Sequence, residues 1–485
     1  MRRREFIKSI GMAAAAVSFG CYAFGAEKTS PNFVFIITDD ISPDDLPCYG
    51  NDKIKTPCID RLAKSGLVFD NAYQTISSCS PSRCSIVTGR YPHNTGAPEL
   101  HTVLPSTQHT FIHDFRAAGY YTAISGKNHM ADFKQLGFDR GEDSGPSGAE
   151  KWLKFLKERP KDRPFFMWFA SHDAHREWQI NDKAPKYAPD QVNVPPMLYD
   201  GPAERENLAG YYHEISRTDY YTALVVEELE KQGVADNTYI VYCSDNGRPF
   251  IRCKTYLYES GIKTPLIING PDVKVGRTDS LVSSIDYSAT FLELAGIKKP
   301  GSVQGVSFCK VLTDPSHVSR EVAFAERNWH VMQLHERMVR TGDWLYIWNA
   351  FPHTYNVCGE SAFYNWSDVK EFWQAADDGK LNGNQMKVTS ADQPEELLFN
   401  VRKDPYQFSD LSKEPAHKAQ LEMMRKLLAQ WKAQTGDNIP DKPTPDRQQL
   451  HGEQREEPFF RGDVPGAKNN ATEINECGPV MLADV

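Results

Sequence analysis

Residues able to hold a cation, hold an anion or move a proton recur at similar places in this 485-residue chain. Asp39-Asp40 follows the apolar run Asn32–Thr38, and Lys127 and His129 follow Tyr120–Ser125. His172 and His175 follow Pro164–Ala170, and Asp245-Asn246 follows Thr238–Cys243. Asp39, Asp40, Asp245 and Asn246 are all oxygen donors, a set that suits a hard divalent cation, Ca²⁺ or Mg²⁺, better than zinc. The plainer reading is that Asp and Asn at such places only cap the helices that follow. Two pairs at matching positions weigh toward one shared site instead. A further concentration is Ser78-Cys79-Ser80-Pro81-Ser82-Arg83-Cys84-Ser85-Ile86-Val87-Thr88-Gly89-Arg90.

The elements that must position these residues are legible in the apolar runs. Asn32–Thr38 is continuously apolar and β-rich, as a strand buried on both faces is. Thr56-Pro57 starts a helix that ends near Gly66, with proline at the first helical position. The pattern predicts a helix from Ser106 to Ala118, strands over 120–125, 164–170, 238–243 and 265–268, and helices over 218–232 and 286–294. Strands alternating with helices for about 300 residues give an α/β unit, a mostly parallel sheet covered on both faces, over 27–315. Ligands of open α/β sheets bind beyond the carboxyl ends of the strands, so four strand ends converge on one site. The character then changes. A hairpin around Thr341-Gly342-Asp343, a strand over 396–400 and an amphipathic helix over 417–435 indicate a smaller α+β unit over 316–437. The tail over 438–485 is polar and proline-rich and reads as irregular chain on the surface.

The Cys79 stretch, with Pro81 at plus two, Arg83 at plus four and a following Thr88-Gly89, resembles the maturation signature of the type I sulfatases; Ser78 and Cys84 do not match it. The resemblance extends over roughly 30–435, through Thr38-Asp39-Asp40, Gly126-Lys127-Asn128-His129, Ser244-Asp245-Asn246-Gly247 and the loop around Lys254. It implies an alkaline-phosphatase-like fold. It also implies that a maturase oxidises Cys79 to formylglycine, whose hydrate attacks sulfur with one oxygen and later expels sulfate with the other. By the same resemblance Asp39, Asp40, Asp245 and Asn246 hold one Ca²⁺ together with the modified Cys79. Arg83 supports the formylglycine, Lys127 and Lys254 bind sulfate, His129 orients the diol, and His175 protonates the leaving group. Asp162-Arg163-Pro164-Phe165-Phe166 and His172-Asp173-x-His175-Arg176 are similar to the heparan N-sulfatase (sulfamidase) branch, which implies a sulfated saccharide substrate contacted by His172 and Arg176. Lys254 stands where that branch can carry arginine, which leaves N-sulfate and O-sulfate both open. Glu326 and His330, in a polar and aromatic segment near the unit junction, are candidates for sugar contact or for ordinary strand positions.

Composition bounds these readings. The chain carries 55 Lys and Arg against 64 Asp and Glu, a net −9 that argues against a nucleic-acid partner. Residues 1–26 hold an arginine-rich start, a short apolar stretch and small residues, the pattern of a twin-arginine-like export signal. Export places the protein in the periplasm or outside the cell, with Gly20-Cys21 as a candidate lipidation site. No later run is long and apolar enough to span a membrane. The signal carries a net +3, so the remainder carries −12. Within the site, three carboxylates balance three cationic side chains and the cation leaves it positive. Ten cysteines at irregular spacings predict no disulfide pairing. Two other functions stay open: a phosphomonoesterase or phosphodiesterase on the same fold, and a saccharide-binding protein without catalysis.

Overall fold

A computed structural model describes residues 30–362, 365–448 and 460–484. The expected export signal, with Cys21, lies outside the described residues. Among the described residues, no helix is long and apolar enough to cross a membrane, and no disulfide joins the cysteines.

Pro31–Val485 forms one compact body around two sheets. The larger has eight strands: β1 Asn32–Thr38, β2 Leu67–Tyr73, β3 Tyr121–Gly126, β4 Arg140–Glu142, β5 Phe165–Ala170, β6 Thr238–Ser244, β7 Leu266–Asn269 and β8 Gly276–Ser283. Their order is β4-β3-β5-β1-β6-β7-β2-β8. All neighbours are parallel except β7, which runs antiparallel to both β6 and β2. The alternation along β1 explains why it reads as uniformly apolar. Val34 and Ile36 point into one apolar cluster, and Phe33, Phe35 and Ile37 into the other, so both sheet faces are covered. The parallel neighbours β3, β5, β1 and β6 send their carboxyl ends to one edge, which is where the polar pairs of the sequence fall.

The smaller sheet is antiparallel, in the order β12-β11-β10-β9, from β9 Val322–Arg327, β10 Glu336–Thr341, β11 Trp344–Asn349 and β12 Glu396–Asn400. One face packs Phe324, Val339, Tyr346 and Leu398 under Leu427 and Trp431 of the helix Lys418–Thr435. The other face packs Ala325, Met338 and Ile347 against Tyr73, Leu257 and Ile262 of the first unit.

Two helices differ from the sequence expectation. The one expected from Ser106 begins at Phe111, capped by Thr110, whose hydroxyl donates to the Leu136 carbonyl at 2.6 Å. Residues 105–108 form a separate turn closed by Gln108 N–H to Pro105 O. The helix expected from Thr218 runs from Pro202 to Lys231. Gly210 weakens the helical signal in its first half, yet a Cβ there would strike the Trp178 indole, so the glycine serves close packing. Among its described residues the tail is irregular apart from short 3₁₀ turns. It is pinned by buried Arg90, which donates to the Ile474 carbonyl at 2.8 Å, to the Thr472 carbonyl and to Asn475 Oδ1.

Candidate active site

The site is built on backbone hydrogen bonds between strand ends. Asp39 N–H donates to Asp173 O at 2.9 Å, Asp245 N–H to Thr38 O at 3.1 Å, and Lys127 N–H to Ala170 O at 3.2 Å. Gly126 makes the turn out of β3 with φ +92°, where a Cβ would run into the Ala170 carbonyl. Asp40 and His129 take left-handed backbone conformations, φ 58° and 57°, at the points where the chain leaves β1 and β3.

The helix Cys79–Thr88 lies under these ends with all ten residues buried. Ser82 Oγ donates to Asp245 O at 2.7 Å, fixing the helix against β6. Arg83, one turn after Cys79, donates through Nε to Asp245 Oδ2 at 2.8 Å and through Nη1 to Lys127 O at 3.0 Å. Cys79 Sγ sits 3.5 Å from Asp39 Oδ1 and 3.9 Å from Asp40 Oδ1. Asp39, Cys79 and Asp245 offer ligand atoms within 4.8 Å of one another. Asn246 donates its amide to Asp40 Oδ1 at 2.6 Å, which leaves its buried Oδ1 without a partner. Carboxylates, a buried amide oxygen in need of a partner and one Cys position fit a single hard divalent cation. The described residues show no histidine-rich second cluster of the kind a zinc pair would use.

Charge in this nest is unbalanced one residue at a time. Burial raises Asp40, and Asp39 and Asp245 raise it further than Lys254 can reverse, so its carboxyl lies well above the usual range. Burial and Asp39 likewise raise Asp245 despite Arg83. Asp39 is buried too, yet Lys127, His175 and Arg83 hold it well below the usual range. Lys127 Nζ pairs with Asp39 Oδ2, and Lys254 Nζ donates to Asp40 Oδ2 at 2.7 Å. Burial and the adjacent Asp39 push the Cys79 thiol well up, so it is a thiol and not a thiolate.

A cavity of about 450 Å³, within the range of small-ligand sites, opens here, lined by His101, Lys127, His129, His172 and His175. A larger depression of about 550 Å³ beside Glu293 and Ile297 is remote from these groups and mainly apolar. His175 Nδ1 donates to Arg176 O at 2.5 Å, because a carbonyl only accepts, so Nε2 faces Asp40 Oδ2 across 4.0 Å. Burial and the two lysines bring His175 down to about 3. Burial and Lys127 bring His129 down to about 2, and its Nδ1 is buried without a partner. His172 is on the cavity wall, with Nε2 2.9 Å from Asp143 Oδ1.

Two expected sugar contacts are engaged elsewhere. Arg176 reaches the cavity lining, but its guanidinium grips Asp368 with both Nη atoms, donates to Pro249 O at 2.8 Å and lies over the Phe250 and Trp366 rings. Its donors are consumed by packing. Glu326 is fully buried on β9, 2.6 Å from His93 Nδ1, and ties the two units together instead of facing the cavity. His330 is close to the site, with Nδ1 2.7 Å from Ser78 Oγ just before Cys79. Ser78, His101 and Glu360, the last 3.7 Å from Lys254 Nζ, are neighbours that the sequence reading passed over. Ser78 adjoins the signature and could have been found; Glu360 follows a stretch with no periodic signal.

Comparison with known proteins identifies the family. The Sulfatase family model matches residues 31–145 and 141–297, and the model for the C-terminal region of N-sulphoglucosamine sulphohydrolase matches 251–349. An ulvan-active sulfatase of Formosa agariphila is 27% identical, over 85% of this chain and 76% of its own. Human N-sulphoglucosamine sulphohydrolase is 26% identical, over 88% of this chain and 97% of its own. A structure solved with its substrate D-glucosamine-2-N,6-O-disulfate superposes with a TM-score of 0.65 at 20% identity, over 84% of this chain and 98% of that one. With its signature helix set beneath an acidic nest at the ends of an alkaline-phosphatase-like sheet, the chain belongs to the sulfatase family, whose members are sulfuric ester hydrolases.

Proposed function

We propose that this sulfatase is exported and removes sulfate from a sulfated saccharide of glycosaminoglycan type, using a formylglycine made from Cys79 and one Ca²⁺. The observation that carries the reading is the position of Cys79. It lies against the carboxylates of Asp39 and Asp40 and under the influence of both lysines, one of which, Lys127, lines a cavity of a size to take one or two sugar units. As a buried thiol it is a poor nucleophile where it stands, so the attacking group has to come from its conversion to the aldehyde hydrate. The hydrated aldehyde would supply the attacking oxygen, and a bound cation would draw negative charge from the sulfuryl group.

The chain's own residues do the rest. Asp39, Asp40, Asp245 and the Asn246 amide oxygen hold the cation. Arg83 fixes Asp245 and the start of the signature helix in register. Lys127, paired with Asp39, and Lys254, paired with Asp40, clamp the sulfuryl oxygens. His129, neutral and with Nδ1 unpartnered, hydrogen-bonds the nucleophile in this reading. His175 keeps its proton on Nδ1, so Nε2 must gain a second proton before it can protonate a leaving group; an anion held between the lysines favours that charge. His172 and His330 remain the sugar contacts. The relatives named for glucosamine-type substrates support the saccharide class, and Lys254 leaves O-sulfate as open as N-sulfate.

The test is sulfate release from N-sulfoglucosamine, glucosamine 6-sulfate and a sulfated galactose by enzyme co-produced with a maturase. Mass spectrometry of the Cys79 peptide accompanies it. Release with an aldehyde-bearing peptide is expected. Full activity with an intact thiol would refute the mechanism.

A further inference from the structure

Glu360 is a buried acid whose presence beside an anion-binding site needs a reason. It stands in the short helix Gly359–Ala362 and is 5% exposed, and its Oε2 has no hydrogen-bond partner. A buried carboxylate oxygen left unbonded costs free energy and calls for explanation. Its Oε1 lies 3.7 Å from Lys254 Nζ, within ion-pair range but beyond hydrogen-bond length. The same ammonium donates to Asp40 Oδ2 at 2.7 Å on its other side. Lys254 is therefore bonded to one carboxylate and about 1 Å short of bonding the other. Lys127 differs: among the described residues its one carboxylate within ion-pair range is Asp39.

Asp40 has a conflict to resolve. Its oxygens are taken by Asn246 and Lys254, yet the proposed cation centre requires them. A buried ammonium that let go of Asp40 without a second partner would be stranded, at a heavy cost. Glu360 is that second partner. We propose that Glu360 is a positioning residue that takes the Lys254 ammonium over from Asp40 when Asp40 turns to the divalent cation, so that lysine and cation do not compete for one carboxylate. The inference rests on the cation centre proposed above.

The charge count agrees. Asp39, Asp40, Asp245 and Glu360 against Arg83, Lys127 and Lys254 sum to −1. A divalent cation makes the nest +1, and a singly charged sulfate ester brings it to neutrality. Without Glu360 the loaded site would hold an excess positive charge in a buried space.

The test is a double-mutant cycle read on Ca²⁺ binding, independent of turnover. The full chain, stripped with EDTA and dialysed, is titrated with CaCl₂ by calorimetry as wild type, Glu360→Gln, Lys254→Met and the double variant. Glu360→Gln is expected to weaken Ca²⁺ binding about tenfold in the wild-type background, and less than twofold when Lys254 is Met, since no ammonium then needs a new partner. Glu360→Asp, which keeps the charge, is expected to recover most of the affinity; circular dichroism and melting check that each variant is folded. Equal weakening in both backgrounds would make Glu360 a plain negative charge acting on the cation, and overturns the proposal, as does no weakening in either. A wild-type chain that binds no Ca²⁺ sinks the cation centre itself and this inference with it. Binding by wild type without coupling sinks the inference alone.

Discussion

The molecule holds two nests of buried charge, and they are wired differently. At the junction of the two units, Arg337 grips Asp437 through two hydrogen bonds of 2.7 and 2.8 Å, Arg320 grips Asp286 at 2.6 and 2.9 Å, and Glu326 meets His93 at 2.6 Å. Each carboxylate there has a geometrically matched partner. Asp437 is buried, yet Arg337 and the nearby histidines hold its carboxyl well below the usual range. At the strand ends, Asp40 and Asp245 are equally buried but lie above the usual range, because neighbouring carboxylates add to the effect of burial and Lys254 and Arg83 offset it only in part. The junction is complete as it stands and contributes cohesion. The strand-end nest lacks that matched pairing, and its oxygen atoms are the ones the cation centre proposed above would use. Buried acids alone therefore say little about function; whether each has a matched partner says much more.

Breaking either nest should give opposite signatures. The largest effect is expected for Cys79→Ala, which should lower kcat/KM by about 10⁴-fold or more while the melting curve stays within a few degrees; a variant retaining a tenth of wild-type turnover would remove Cys79 from the chemistry. Arg337→Ala should do the reverse. Leaving Asp437 buried and unpaired should cost about 3–5 kcal/mol of stability, seen as a lower midpoint in urea, with turnover per folded molecule little changed. Next comes Lys127→Ala, expected to reduce kcat by about 10²–10³-fold through the loss of one sulfuryl contact, measurable on a sugar sulfate at saturation; a rise in KM alone would mean that the lysine binds without favouring the transition state.

The smallest effect concerns Glu99, which lies apart from both nests and holds the tail through Thr444 at 2.8 Å and Arg461 at 3.4 Å. Burial raises its carboxyl to about 7, against the opposing hydrogen bonds of Thr444 and Arg461. The folded value lies above the unfolded one, so this contribution to stability is present below about pH 4.5 and is lost as pH rises through 7. Glu99→Gln should flatten that slope, by about 2 kcal/mol between pH 5 and pH 8. Denaturant melts of both proteins across this window that ran parallel would show that Glu99 does not titrate there.

Much of this arrangement was legible in the sequence because its signals are local. The apolar run of β1 and the polar residues after β1, β3, β5 and β6 reveal a parallel sheet with its site at one edge. Cys79, Pro81 and Arg83 are spaced to fall within one helical turn or so of each other. What the sequence hid depends on contacts between distant segments. Arg176 looked like a sugar ligand because nothing in the chain near it announces Asp368, almost two hundred residues away, which takes up its guanidinium. Glu326 likewise finds His93 from across the junction. The first half of the helix Pro202–Lys231 was masked by Gly210, whose lack of a side chain is explained only by Trp178. Glu360 lies in a segment without periodicity, and its relation to Lys254 exists only in the folded chain.

The burial of the helix Cys79–Thr88 has a consequence for the order of events in the life of the protein. Cys79 is 2% exposed, and the residues around it from Ser77 to Arg90 are closed over by strand ends, the cavity wall and the tail. An enzyme that must enclose several residues on each side of the cysteine has no access to them once the sheet has formed. The oxidation of Cys79 proposed above would therefore belong to the time before folding is finished. A twin-arginine route would carry the chain across the membrane already folded, and the oxidation would then have to happen on the side where the chain is made. A population that folded first would then be locked out, stable and correctly assembled but without its nucleophile. The amount of active enzyme would be set by a race between maturation and folding, not by expression alone.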